Sequence, residues 1–120
     1  PQECGGKSDV RWVAFTDRSG RGVHITFPKP FFVTALHYTS EDLEGARHRN
    51  GMERIYNPLR PRPEVCLALD VGQTGLGGAS CGPIPLEKYI LRAQPFDYTY
   101  ILRPCSDSSH ETLSALARER

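Results

Sequence analysis

The fold of this chain is most constrained by how often proline and glycine interrupt it, because 10 prolines and 11 glycines leave only short apolar segments between them. Within these segments apolar residues recur at alternate positions. At residues 64–70, for example, Val65, Leu67 and Leu69 fall on one face. A period of two is typical of a β-strand, and no helical segments alternate with the strands as a parallel sheet would need. The sequence therefore predicts an all-β, antiparallel fold.

The same reasoning predicts the positions of the other strands. They are residues 9–17, 23–27, 31–37, 86–91 and 97–103. A turn at residues 19–22 is predicted to join the first two strands into a hairpin. Pro28 and Pro30 are expected to stop the second strand, since proline cannot donate a hydrogen bond to a ladder. Together these strands predict an antiparallel β-sandwich.

Two segments carry helix signals. Residues 40–48 follow a hydroxyl side chain and begin with acidic residues, which the helix dipole favours in a first turn, so one short helix is predicted there. Residues 108–111, Ser-Ser-His-Glu, form a capping-box pattern and predict one or two helical turns. We therefore divide the chain into a β-sandwich domain, residues 1–104, and a polar tail with helical character, residues 105–120.

Charge and hydropathy exclude two classes of partner. Lys and Arg number 15 against 14 Asp and Glu, and the basic residues are scattered, which argues against a nucleic-acid partner. No apolar run approaches the length of a bilayer span, so no membrane partner is expected. The first residue is Pro1 rather than Met, which we expect to reflect processing or a cut from a longer polypeptide.

The four cysteines favour reduced thiols over a metal site or a disulfide scaffold. Cys4, Cys66, Cys81 and Cys105 lie far apart and include no CxxC pair. Four cysteines in 120 residues are also sparse for a small secreted protein held together by disulfides. We expect no metal and no cofactor, and a cytoplasmic location is favoured.

A glycine-rich segment, residues 73–83 (QTGLGGASCGP), is the candidate binding loop. Its glycines remove the Cβ restriction on the backbone, so the chain can fold back on itself or lie against a ligand. An ordinary connection between two strands would have the same composition.

Asp70 and Glu87 flank this loop, and paired carboxylates are what glycosidic bond cleavage needs. Acids around a loop are common, however, so no catalytic residue is assigned. A pairing of Cys81 with His37 stays open.

Ordinary structural roles are the favoured interpretation of the histidines and the aromatic residues. The histidines, at His24, His37, His48 and His110, are too widely spaced to be local metal ligands, and surface or hydrogen-bonding positions are favoured. Three aromatic residues are candidates for stacking on a sugar ring, although aromatic side chains in strands more often belong to the core: Trp12, Tyr38 and Tyr56.

Five segments in order carry a resemblance to a known family. They are residues 9–12 (DVRW), 37–43 (HYTSEDL), 47–48 (RH), 67–70 (LALD) and 73–83. In this order they resemble the C-terminal, small-chain region of glycoside hydrolase family 2 β-galactosidases. The resemblance runs from residue 1 to about residue 104. It departs from the family pattern at Cys4, where asparagine is common, and at residues 52–63, which are longer and richer in proline.

The resemblance implies a fold and a role. The fold would be an antiparallel β-sandwich, part of a galactose-mutarotase-like supersandwich. The family's catalytic glutamates belong to a separate barrel domain that this chain lacks, so the chain alone should not hydrolyse a glycoside. Its loop would line the subsite for the leaving sugar, with Gly77, Gly78, Ser80 and Cys81 as substrate-binding residues. Some members carry tryptophan at the position of Cys81, and its indole stacks on that sugar.

Two functions of different classes therefore compete. The chain is expected to be the non-catalytic sandwich of a β-galactosidase, with a galactoside, the remainder of the enzyme chain or a second copy of itself as partners. The alternative is a stand-alone, lectin-like module that binds galactose or lactose. A structural module that only mediates oligomer contacts is a third possibility.

Overall fold

The computed structural model describes residues 4–45, 59–74 and 82–119. These residues form four strands, two short α-helices and one 3₁₀ turn, Glu87–Tyr89. The strands are β1 (Lys7–Thr16), β2 (Gly22–Leu36), β3 (Cys66–Asp70) and β4 (Ile101–Cys105), and the helices are α1 (Ser40–Gly45) and α2 (His110–Leu116). All four strands belong to one sheet, in which β1, β3 and β4 each pair with β2. The antiparallel all-β class is confirmed, whereas the second sheet of a sandwich is not among the strands of the described residues and stays a prediction.

The chain divides into two compact units. The smaller unit contains the residues up to Ser8 together with Val33–Leu69, and the larger contains Asp9–Phe32 together with the residues from Asp70 onward. Val33 and Leu43 are buried in the smaller unit. The larger unit buries five apolar side chains, which are those of Ile25, Phe27, Phe31, Cys105 and Leu113. The proposed domain boundary at residue 104 stays a prediction.

The predicted hairpin turn is confirmed, and an aspartate organises it. The Asp17 carboxylate accepts hydrogen bonds from the backbone N–H of Ser19 at 2.8 Å and of Arg21 at 3.0 Å. Gly20 has a φ of +85°, a left-handed conformation that glycine adopts without steric cost. These contacts turn the chain between β1 and β2 within a few residues.

The prediction that Pro28 and Pro30 stop the second strand was wrong, because β2 runs through both. The β4 ladder on β2 reaches only from Gly22 to Thr26, so a proline beyond Thr26 removes no bond from it. Alternate residues of a strand direct their N–H groups to the same side, so prolines two positions apart cost hydrogen bonds on one flank alone. The other flank can continue its ladder through both positions.

Two strands near the C-terminus were also placed wrongly. Residues 86–91 contain the 3₁₀ turn Glu87–Tyr89 instead of a strand, and Leu86 before it is 65% exposed. Alternating apolar residues there indicated a strand, but a strand forms only where a partner strand supplies hydrogen bonds. The strand predicted at residues 97–103 begins later, at Ile101, and continues through Pro104, which lies opposite Val23.

Both predicted helices are present, and α1 begins where the sequence placed it. α1 begins at Ser40 and is described as far as Gly45, while the predicted end near residue 48 lies outside the described residues. α2 begins at His110, where the Ser109 side chain caps it by accepting from the Thr112 N–H. The cap is therefore one residue later than the Ser108–Glu111 pattern suggested. Leu113 anchors α2 by its burial in the larger unit.

Candidate functional site

The predicted substrate-binding residues, Gly77, Gly78, Ser80 and Cys81, lie outside the described residues. The structure does describe both ends of their loop. Strand β3 ends at Asp70 and leads into it, and the chain is described again from Gly82. A Cβ added to Gly82 would meet no atom of the described residues within 4 Å.

The two carboxylates that flank the loop are in different surroundings. Asp70 is partly buried at the end of β3, whereas Glu87 is exposed in the 3₁₀ turn and forms an ion pair with Arg92. The absence of a catalytic residue among them stays a prediction.

A polar cluster joins helix α1 to the segment before β3 in the smaller unit. The Asp42 carboxylate accepts from the Thr39 N–H at 2.9 Å, while the Thr39 hydroxyl accepts from the Asp42 N–H at 3.2 Å. This reciprocal pair is a capping box with aspartate at its third position. The Arg62 guanidinium binds the same carboxylate through two nitrogens, and the contact from Nη2 to Oδ1 measures 2.9 Å.

These hydrogen bonds explain the charge state of Asp42. The Arg62 guanidinium, followed by the Thr39 N–H, holds the pKa of this carboxyl well below its usual range, and Asp42 in turn raises the pKa of Arg62. The carboxylate is therefore ionised throughout the neutral range and only accepts hydrogen bonds. Asp42 and Arg62 tie the start of α1 to the chain before β3 and do not form a proton-transferring pair.

His37 strengthens the same connection. Its Nδ1 lies 2.9 Å from the Arg62 carbonyl oxygen and 3.1 Å from the Glu64 carbonyl oxygen, while the Arg62 N–H donates to the His37 carbonyl at 2.7 Å. Carbonyl oxygens only accept, so Nδ1 carries the proton and Nε2 is the acceptor in the neutral ring. The pairing of His37 with Cys81 stays a hypothesis, because Cys81 lies outside the described residues.

Removal of the Asp42 charge is expected to lower the stability of the smaller unit. Asp42→Asn keeps an oxygen that can accept from Thr39 but loses the ion pair to Arg62, and Asp42→Ala loses both. The urea midpoint should fall in the order native, Asp42→Asn, Asp42→Ala. Because the pKa of Asp42 is depressed on folding, its contribution is present above the ordinary value of 3.8 and is lost as the pH falls further.

The matched control for this prediction is Asp97→Asn, which removes an exposed carboxylate from the other unit. The difference in midpoint between the native chain and Asp42→Asn should narrow as the pH is lowered below about 3.8. Equal midpoints for Asp42→Asn and Asp97→Asn at pH 7 would show that the cluster contributes no stability.

A second cluster, in the larger unit, surrounds a buried histidine. His24 has no exposed surface, and its Nδ1 lies 3.2 Å from the Thr26 hydroxyl. The Trp12 ring stacks on the His24 imidazole with 5.3 Å between ring centroids. The His110 ring lies tilted against Trp12 with 5.9 Å between ring centroids. His24 is therefore hydrogen-bonded, as expected, but is buried instead of lying on the surface. Trp12 packs between two imidazoles, and Tyr56 lies outside the described residues.

One face of the sheet in the larger unit carries exposed apolar side chains. Residues directly opposite each other in an antiparallel pair share a face, so Ile25 and Leu102 lie on the same side of the sheet. Leu102 is 58% exposed although Ile25 beside it is buried. Tyr98 and Tyr100 stack on each other at 6.4 Å, and Tyr98 also contacts the buried Phe31. We call this surface, formed by Tyr98, Tyr100 and Leu102 above Ile25 and Phe31, the Leu102 face.

The described residues give no indication of a metal site or of a membrane-spanning helix. They include no group of three or more histidine, cysteine or acidic side chains placed to hold a metal ion. Their helices are too short and too polar to cross a bilayer. Within the same ranges, Cys4, Cys66 and Cys105 are free thiols.

The fold and these clusters define an all-β module with an exposed apolar face, and comparison with known proteins gives its family. Residues 1–102 match the family model described as β-galactosidase small chain. The chain is 37% identical over 109 residues to β-galactosidase BgaC of Bifidobacterium adolescentis. This alignment covers 86% of this chain and 10% of that protein. It is 27% identical over 103 residues to a β-galactosidase of Staphylococcus xylosus, with the same coverage of both chains.

A third relative, a β-galactosidase of Priestia megaterium, is 35% identical over 78 residues, which is 65% of this chain and 7% of that protein. The chain therefore belongs to the β-galactosidase small-chain family. It spans about a tenth of the length of the curated relatives it matches. The family match supports a non-catalytic part of the enzyme.

Proposed function

We propose that this chain is the non-catalytic β-sheet module of a β-galactosidase and that its residues 73–83 line the subsite for the leaving sugar. The observation that carries the proposal is the match of residues 1–102 to the small-chain family in a chain that spans a tenth of its relatives. Nucleophilic and acid/base chemistry then belongs to the remainder of the enzyme. This module supplies support and part of the binding surface.

The Leu102 face is the surface through which the module would join the remainder of the enzyme. The opposite face of the same strand pair carries His24 and Arg103, and Leu113 of α2 packs near His24. On the Leu102 face, Tyr98 and Leu102 are each more than half exposed. Exposed apolar side chains that gather on one face can form an interaction site. A second sheet from the remainder of a β-galactosidase chain would bury these side chains and complete the predicted sandwich.

The loop would contribute shape and close approach to the sugar. Gly77 and Gly78 have no side chains, so a ligand can lie directly against their backbone. Ser80 can both donate and accept a hydrogen bond, as the hydroxyl groups of a sugar require. Cys81 would form a small apolar part of the subsite wall, and none of the four side chains would break a bond.

Replacement of Cys81 by tryptophan tests the role of the loop. The variant is made in B. adolescentis β-galactosidase BgaC in which this chain replaces the matching segment. An indole at this position would stack on the leaving sugar, so the affinity for acceptor sugars should rise, and the KM for lactose should change more than the KM for a small aryl galactoside.

A Gln94→Trp variant, at an exposed position outside the loop, is the matched control and should leave acceptor affinity closer to that of the unaltered chimaera. Unchanged kinetics of Cys81→Trp with every galactoside would reduce the loop to an ordinary connection between strands. The family assignment would remain, because it rests on the match over residues 1–102.

A further inference from the structure

Helix α2 covers an imidazole that has no contact with solvent. His24 on β2 is fully buried, and its Nε2 has no hydrogen-bond partner among the described residues. Three elements surround it in the larger unit. Trp12 of β1 stacks on its ring, Arg103 of β4 lies directly opposite it in the ladder, and the Leu113 backbone of α2 lies close by. The imidazole is therefore enclosed by the sheet and the helix.

The surroundings of His24 accept a neutral ring and disfavour a charged one. The Thr26 hydroxyl can donate to or accept from Nδ1, so the neutral ring is satisfied at that nitrogen in either tautomer. The protonated ring would add an N–H at Nε2, which forms no hydrogen bond in the structure and has only the nearby Leu113 backbone to compensate it in part. A buried donor without a partner, and a buried charge without a counter-ion, are both costly.

Among the described residues, the charged and titratable side chains that face His24 do not stabilise a protonated imidazole. β4 contributes the Arg103 guanidinium, α2 contributes His110 across the Trp12 ring, and β1 and β2 contribute the uncharged Trp12 and Thr26. Burial first, and the Arg103 charge in addition, lower the pKa of His24 below 6.5, and the Leu113 backbone opposes this only in part. Protonation would place a second positive charge beside Arg103.

The contacts that hold α2 over this position include the ring of His110 against Trp12. Leu113 is its buried side chain, and Arg103 donates through Nη2 to the Glu119 carbonyl at 3.0 Å just after the helix. The helix is only seven residues long, so it depends on this docking for stability. Release of α2 would expose His24 to water while leaving the β2–β4 ladder in place.

We propose that α2 is a pH-sensitive latch: protonation of His24 releases the helix from β2 and β4, and deprotonation allows it to dock again. The direction follows from linkage. The docked state binds the His24 proton more weakly than the released state does, so docking is fully favoured above pH 6.5 and weakens as the pH falls from 6.5 toward the lowered pKa. Within that window one proton is taken up for each helix released.

Amide hydrogen exchange on the full chain, read by NMR between pH 4.5 and 7.5, tests the latch. Two amides report the helix: the Leu113 N–H, bonded to the Ser109 carbonyl at 3.0 Å, and the Ala117 N–H, bonded to the Leu113 carbonyl at 3.2 Å. After correction for the intrinsic exchange rate, their opening should become more favourable by up to about tenfold per pH unit between 6.5 and the lowered pKa of His24, and should level off below it. The Ile25 amide in β2 should keep its protection.

The single tryptophan provides a second readout, since Trp12 lies against both imidazoles. Its emission should change with the same midpoint as helix opening. His24→Gln removes the buried imidazole but keeps an amide that can bond Thr26, so the pH dependence of helix opening, and the part of the emission change that follows it, should disappear. His110→Gln, on the exposed side of the Trp12 ring, should keep the helix dependence.

Two results would overturn the latch. One is a pH dependence of α2 protection that is the same in His24→Gln as in the native chain. The other is a native His24 ring, followed by its own NMR signal, that titrates while α2 stays protected. The second result needs no variant, so the test holds even if His24→Gln fails to fold.

Discussion

Gly22→Ala is expected to prevent the hairpin between β1 and β2 from forming and to unfold the larger unit. A Cβ at position 22 would lie 1.8 Å from the Phe15 carbonyl oxygen and 2.8 Å from the Thr16 Cα. Both are backbone atoms of the adjacent strand, so no side-chain rotation can relieve the overlap. The loss of stability should exceed the ordinary range of about 0.5–3 kcal/mol for a single substitution.

Gly82→Ala is the matched control, because its Cβ would meet no atom within 4 Å. Circular dichroism and urea denaturation of the two variants provide the measurement. We expect Gly82→Ala to keep the native midpoint to within a small shift and Gly22→Ala to lack a cooperative transition. A Gly22→Ala chain with the native midpoint would mean that β1 and β2 do not approach as closely as described.

Local signals account for the parts of the fold that were predicted correctly. The Asp17–Arg21 turn follows from glycine and a carboxylate that accepts from nearby N–H groups, and all of its partners lie within four residues. The start of α1 follows equally from Thr39 and Asp42, which bond across three residues. Such features depend on sequence neighbours alone, so a single sequence is enough to predict them.

Features that depend on distant partners could not be predicted in the same way. Residues 86–91 have the alternation of a strand, but the structure gives them a 3₁₀ turn. β2 continues through Pro28 and Pro30 because of which residues β4 pairs with, and no property of the prolines themselves reveals this. Strand pattern alone therefore indicated where extended chain is favourable, and tertiary pairing decided where strands formed.

In the polar clusters, too, local signals are visible in the sequence and distant partners are not. The acidic residue at position 42 is visible as a helix-start signal, but its partner Arg62 is 20 residues away and nothing in the spacing identifies it. His24 was expected to be a surface or hydrogen-bonding residue. Its position in β2 between Val23 and Ile25 gave one available signal, because one face of an alternating strand is buried, but only the docking of α2 shows that the face carrying His24 is covered.

The proposed role of the loop at residues 73–83 rests on family membership. The structure describes the chain at both ends of this loop. Its sequence is compatible with an ordinary connection as well as with a sugar subsite. On the Leu102 face, Tyr98 and Leu102 are more than half exposed, as the proposed contact with the remainder of the enzyme requires.

The most direct test of this account is an assay of glycoside hydrolysis. The purified 120-residue chain is incubated with a chromogenic β-galactoside, in parallel with the B. adolescentis chimaera that carries this chain in place of its matching segment. We expect turnover by the chimaera and none by the chain alone, since the proposed function assigns the catalytic groups to the remainder of the enzyme. Hydrolysis by the isolated chain would contradict its assignment as a non-catalytic module.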